Sequence, residues 1–165
     1  MDQPYIFTNI KATCGNEVEY QSRQHNYEII EISAIIFDSF GNLYDYIQIF
    51  IKPRVNPILT EICKTITNIK QEWIDGFELP NDSEWYSDTQ LGLNRFIDWM
   101  SKFENPLVFN YGNWDLNYML PKEAGTCWVT IPECLKCWCN IKSEVSYYFN
   151  INGMRLNKMM EYLNI

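Results

Sequence analysis

Histidine is almost missing from this sequence: His25 is the only one in 165 residues. It sits in the polar run Gln21–Asn26 and reads as a loop residue with no catalytic part. Basic residues are also few, 13 Lys and Arg against 21 Asp and Glu, which leaves a net charge of −8 and a pI near 4.6. Such a chain repels phosphate backbones unless its lysines gather on one face, which counts against broad nucleic-acid binding and leaves room for a small basic patch. No apolar run reaches the ~18 residues of a membrane span. Met1–Tyr5 lacks a basic stretch leading into an apolar one, so no signal peptide is expected. No internal repeat, low-complexity tract or linker interrupts the chain.

Apolar residues are plentiful, at 47%, with 16% aromatic. That composition argues against disorder and suits one domain, residues 1–165, with its own core. Six cysteines without a secretory signal read as reduced thiols, which implies a cytoplasmic or nuclear protein. Cys127, Cys134, Cys137 and Cys139 could supply the four thiolates of a zinc site. However, Cys137 and Cys139 flank Trp138 on an expected strand, share one face and are spaced oddly for a zinc knuckle. They are expected to pack as small hydrophobes, with no metal or other cofactor bound.

The pattern along the chain alternates strands and helices. Tyr5–Lys11, Ile29–Phe37 and Leu43–Ile51 read as strands, the last two joined by the turn at Gly41-Asn42. Ile29–Phe37 (IIEISAIIF) is nearly continuous in apolar, β-branched residues, as suits a strand covered on both faces. Pro53 and Pro57 end the third strand. Thr60 caps a short helix over Glu61–Ile66, and Asn68 suits the left-handed turn after it. Phe77–Ser83 reads as an exposed loop. Ser87 and Gln90 form a capping box opening a helix to about Phe103, with Leu91, Phe96, Trp99, Met100 and Phe103 on its apolar face. Pro106–Asn110 is a short strand, Trp114–Leu120 a helix stopped by Pro121, and Cys137–Ile141 a last strand. Lys142–Phe149 and Met154–Leu163 close the chain as helices. The fold class is α/β, a mixed sheet with helices layered on it.

Five segments in this order resemble the DEDDh-type 3′–5′ exonucleases, in the branch of the histone-mRNA and RNA-interference exonucleases. Asn9-Ile10-Lys11-Ala12-Thr13-Cys14 stands where that family has Asp-x-Glu-Ala-Thr-Cys. Glu28–Ile32 matches its second strand. Phe50-Ile51-Lys52-Pro53, Leu59–Cys63 and Thr67-Asn68-Ile69 match its KP…L-T-x-x-C…T-G-I stretch. Tyr111–Asp115 matches its second acidic motif, and Trp138–Ile141 the segment before its last helices. The resemblance implies a ribonuclease-H-like fold with helices on both faces of the sheet. It also implies a site of four carboxylates and a histidine, in which two divalent metals activate water against the last phosphodiester bond.

This sequence departs from that pattern where the chemistry is. Asn9 replaces the first Asp, Lys11 replaces the first Glu, and Asp115 alone is kept. The family's closing histidine and aspartate would lie past Ile165, where the chain stops. Asp115 reads equally as a relic ligand or as an acid favoured in the first turn of a helix. The expectation is a catalytically inactive, exonuclease-like domain serving as a protein-interaction or scaffold module, in RNA processing or silencing. A metal-dependent exoribonuclease and a non-catalytic RNA-end binder are the alternatives. Lys11 is expected to take the place of the metals by pairing with Asp115. Lys11, with Lys122 nearby, is thin support for nucleic acid. A protein partner or a second copy is expected instead, with no membrane. Among six tryptophans, Trp85, in the polar loop Asn81–Ser87, is the candidate partner contact. Met154, Met159, Met160 and Tyr162 are expected to form an open, adaptable apolar surface near the cleft.

Overall fold

The computed structural model describes residues 3–15 and 27–165. His25 and its polar run therefore lie outside the described residues. Six strands form one mixed sheet in the order β4-β3-β2-β1-β5-β6. Strands β1 (Tyr5–Ala12), β2 (Ile29–Phe37) and β3 (Leu43–Ile51) form an antiparallel meander. Strands β5 (Leu107–Asn110) and β6 (Trp138–Asn140) extend it in parallel beyond β1. Strand β4 (Glu84–Tyr86) runs parallel to β3 at the other edge.

Register decides which side chains meet. Ile6, Ile10, Ile32, Ile36, Ile47, Ile49 and Val108 point to one face and are buried under helix α3 (Thr89–Met100) and helix α4 (Leu120–Cys127). Each such side chain contributes roughly 1.5–3 kcal/mol when fully buried. Gly92 lets α3 sit close on β3, because a Cβ there would come within 2.5 Å of Ile51. Trp99 fills the centre of this core and satisfies its indole N–H on Asp45 Oδ2 at 2.9 Å. On the opposite face, helices α1 (Glu61–Thr67) and α2 (Gln71–Ile74) cover a smaller core of Ile30, Phe50, Leu59, Cys63, Ile69 and Ile74. A register shift between Lys11 and Ala12 sets Ala12 opposite Ile29, which leaves Ile30 as the extra residue of β2.

Most expected elements are present, and the departures have local causes. Helix α3 is capped by Asp88, whose carboxylate accepts from Leu91 N–H at 2.9 Å, not by Ser87. Both residues are good caps, and the charged acceptor one residue later wins. Pro121 does not stop its helix. A wide π-helical turn over Asp115–Met119 precedes it, Leu120 N–H bonds back to Asp115, and Pro121 falls in the first turn of α4, where no donor is needed. The segment around Trp85 is strand β4, not loop. Helix α5 spans Ile141–Tyr148 and helix α6 spans Leu156–Leu163.

Candidate functional site

The site lies where β1 outruns β5. Pairing between them ends at Thr8 and Asn110. The next donor on that edge, Ile10 N–H, finds no strand and instead bonds Asp115 Oδ2 at 2.9 Å. Asn110 Nδ2 donates to the same oxygen at 3.1 Å and to the Thr8 carbonyl at 2.9 Å. The Asp115 carboxylate therefore continues the β5 ladder. Burial raises its pKa above the ordinary aspartate value, and these two hydrogen bonds only partly offset that.

Asn9 and Lys11 alternate with Ile10 and so share the other face of β1. Lys11 faces Glu31 across the β1–β2 pair. Its ammonium stands 2.9 Å from Glu31 Oε2, an ion pair without the alignment of a well-formed hydrogen bond. Glu31 is buried, and its other oxygen accepts from Gln48 Nε2 at 2.6 Å. The expected Lys11–Asp115 ion pair is thus absent. Two residues on β1 put Lys11 one row beyond Asp115's partner Ile10, and the cross-strand carboxylate claims it. Asn9 is exposed.

Beside these groups lies an apolar cleft of about 290 Å³. Ile10, Lys11, Tyr27, Ile66 and Trp114 are among the residues lining it. Tyr27 and Trp114 meet edge to face at 6.2 Å between ring centres. Lys122 Nζ donates to the Tyr27 carbonyl and lies 3.3 Å from Glu123, so it borders this cleft with its charge engaged. Glu28 works nearby as a structural acid. Its buried carboxylate accepts from the N–H groups of Arg54, Val55 and Asn56 at 2.7–3.0 Å and orders the turn after Pro53.

Along its full length the chain has known relatives. It is 23% identical to human "ERI1 exoribonuclease 2" over 182 residues, covering 97% of this chain and 24% of that protein. It is 25% identical to the rat "3'-5' exoribonuclease 1" over 167 residues, covering 95% of this chain and 44% of that one. The nuclease domain of 3'hExo, a DEDDh family member solved bound to rAMP, superposes with a TM-score of 0.80 at 21% identity, over 99% of this chain and 80% of that one. Along nearly its whole length the chain is thus distantly similar to DEDDh 3′–5′ exonucleases of the ERI1/3′hExo branch, and it has the ribonuclease-H-like fold. Cell-death related nuclease 4 has the same fold, with a TM-score of 0.76 at 15% identity, over 99% of this chain and 55% of that one. No protein-family model matches the chain. The chain spans about a quarter to under half the length of these curated relatives.

The residues of this site do not suit a pair of divalent metals. On β1 the side chains beside Ile10 are a cation, Lys11, and a neutral amide, Asn9. The remaining acid, Asp115, is desolvated and already accepts two hydrogen bonds. Among the described residues no three His, Cys, Asp or Glu side chains converge as metal ligands. The six cysteines are free thiols. Cys14 lies beside Cys63, and burial together with that second sulfur pushes its pKa up to about 12.

The expected interaction residues separate. Trp85 is half-buried on β4, donates its indole N–H to the Ile74 carbonyl at 2.9 Å and packs against the smaller core. Its ring lies so near Gly76 that a Cβ there would stand at 3.1 Å. Met159 is 2% exposed. The Met154 carbonyl accepts from Tyr111 Oη at 2.7 Å, which ties the start of the last segment to the end of β5. Only Met160, at 41%, and Tyr162, at 51%, are open to solvent, and Tyr162 leans on Phe149. These four residues do not form one open surface. Glu31, Tyr27 and Trp114 were not singled out from sequence. The signal for Glu31 was an acid inside an otherwise apolar strand.

No described helix is long and apolar enough to cross a membrane.

Proposed function

We propose that this exonuclease-family domain is catalytically inactive and serves as a protein-binding or scaffold module, within the cytoplasm or nucleus, in RNA processing or silencing. The observation that carries the reading is the Lys11–Glu31 ion pair. It puts an ammonium, held at 2.9 Å by a buried carboxylate, where the family needs an acid. A two-metal site works by clamping the attacking and leaving oxygens between cations held by carboxylates. Lys11 and Asn9 supply one positive charge and one neutral amide, which repel or ignore those cations. The reading is tested by incubating the purified protein with 5′-labelled single-stranded RNA in Mg²⁺ or Mn²⁺. No shortening is expected. Metal-dependent trimming abolished by Asp115→Asn would overturn it.

The cleft lined by Tyr27 and Trp114 supports a second reading, a non-catalytic binder of an RNA 3′ end, since aromatic walls favour a stacked base. Charge weighs against it. Lys11 is neutralised by Glu31, and Lys122 is engaged by the Tyr27 carbonyl and Glu123. Few cations remain to neutralise phosphates. Anisotropy of a labelled oligonucleotide, titrated to high micromolar protein, separates the two readings.

A further inference from the structure

The sheet face that carries Asn9 and Lys11 turns apolar toward the start of β1. One cross-strand row there runs Tyr46, Ile35, Phe7, Phe109 over β3, β2, β1 and β5. The next row holds Phe37, Tyr5 and Leu107. The rings contact one another: Phe7 stacks on Phe109 at 5.0 Å and meets Phe37 edge-on at 5.8 Å. No described helix closes over this end of the face. Ile35 is 41% exposed, and Tyr46 and Leu107 are each 45%. Phe40 stands almost fully exposed beside them, at the rim of the groove formed with Tyr5, Phe7 and Phe37. Contiguous apolar surface of this kind on a folded protein marks a place where something docks.

The borders of the face are acidic. At the β3 end, Tyr46 Oη donates to Asp82 at 3.1 Å. Asp38 follows Phe37, and the hydrogen bonds it accepts from Asn42 and Phe40 hold its pKa below the ordinary value. On the β6 side Cys139 continues the row opposite Phe109, with Glu144 near it. Lys11 is paired with Glu31, and Lys102 lies at the far edge beside Glu104 and Asp45. We infer that this face is a docking site for an amphipathic helix whose apolar side covers Phe7, Ile35 and Phe109 and whose basic residues meet Asp82, Asp38 and Glu144. Five strands spaced ~4.8 Å apart span about 19 Å, the length of a helix of about 13 residues. A second copy fits less well, because two chains of net charge −8 would bring like-charged borders together.

This inference rests on the reading of the domain as a binding module, and its test can fail separately from loss of catalysis. The probe is a fluorescein-labelled helical peptide of Leu and Ala with Lys at both ends, compared with the same peptide carrying Glu. The Lys peptide is expected to bind, with amide NMR shifts centred on Phe7, Ile35, Tyr46 and Phe109, and the Glu peptide is not. Ile35→Thr with Leu107→Thr, both at open positions, should weaken binding about tenfold at unchanged charge. Asp82→Asn with Glu144→Gln should weaken the Lys peptide by roughly tenfold in low salt and less in high salt. Equal binding of both peptides, or shifts confined to another face, overturns the inference. So does self-association in light scattering that the Ile35→Thr/Leu107→Thr variant abolishes, since the face would then belong to a second copy. RNA trimming by the same sample would remove the inactive reading and leave the docking site standing. Absence of both trimming and peptide binding would remove the docking site alone.

Discussion

Strand β1 lays Tyr5, Phe7, Asn9 and Lys11 along one face, and the two halves of that face have opposite neighbours. At the Lys11 end, the partner across β2 is the buried acid Glu31, backed by Gln48. At the Phe7 end, the partners are Ile35 and Phe109, half open to solvent. The backbone is the same in both halves. What differs is whether a side chain's polarity is answered across the strand or left for something outside the chain. The polar half is internally satisfied and reads as a site closed by substitution. The apolar half is unsatisfied and reads as a site awaiting cover.

Of the two halves of this face, the closed one should give the larger effect. Lys11→Met leaves the Glu31 carboxylate buried with only Gln48 to answer it. Removing one member of a buried pair costs 3–5 kcal/mol, and because Lys11 is about a third exposed, about 2 kcal/mol is expected here. Glu31→Gln alone should cost less, since a neutral amide can still accept from Gln48. The double variant should lose less than the sum by about 1 kcal/mol. Urea unfolding of the four proteins measures this. Strict additivity would mean that Lys11 and Glu31 do not stabilise each other.

Asp115 gives a smaller effect with a distinctive pH dependence. Its pKa is raised in the fold by burial. The folded chain therefore holds that proton more tightly than the unfolded one. Asp115's contribution is full below its unfolded value of about 3.8 and declines as pH rises through the raised folded value. Asp115→Asn keeps an acceptor for Ile10 N–H and removes the titration. Its unfolding midpoint should therefore fall less than that of the natural chain as pH rises from 4 to 7. Asp115→Ala leaves the Ile10 N–H without its acceptor and should cost about 1–2 kcal/mol at any pH. If the Asn variant were much less stable at pH 7, the ionised carboxylate itself would be what the fold needs.

Much of this arrangement was legible in the sequence. A β-branched run marked β2, the turn at Gly41-Asn42 marked β3 as its hairpin partner, Thr60 and Asn68 bounded α1, and the order of five short motifs pointed to the family. Legibility failed where tertiary partners decide. β4 is three residues long and pairs with β3 only through Ile49, Phe50 and Ile51, so no periodicity could announce it. Trp85 looked exposed because its neighbours are polar, yet its ring is taken by the α2 side of the sheet. Lys11 was assigned the wrong acid. Motif spacing puts Lys11 and Asp115 near one another, but strand register gives Lys11 a closer carboxylate. The methionines of the last helix drew attention by composition, whereas the open aromatic face on β1, β2 and β5 went unseen, because its alternate residues become neighbours only once the register is known.

The smallest stability effect belongs to the open half, and there a null result is the informative one. Ile35 sits mid-strand on β2, so by sequence it resembles the buried isoleucines on either side. Ile36→Thr, on the fully buried face, would leave an unsatisfied hydroxyl and a void, and should cost about 2–3 kcal/mol. Ile35→Thr keeps β-branching and puts its hydroxyl in water. Its cost should stay within about 0.5 kcal/mol, the range for a surface substitution. The two urea midpoints, measured side by side, compare the two faces of a single strand. Binding of a dye that fluoresces on apolar surfaces should fall in Ile35→Thr and not in a control such as Ser33→Thr. If Ile35→Thr were as costly as Ile36→Thr, Ile35 would already be covered within the folded chain, and the contrast between the two halves of the β1 face would disappear.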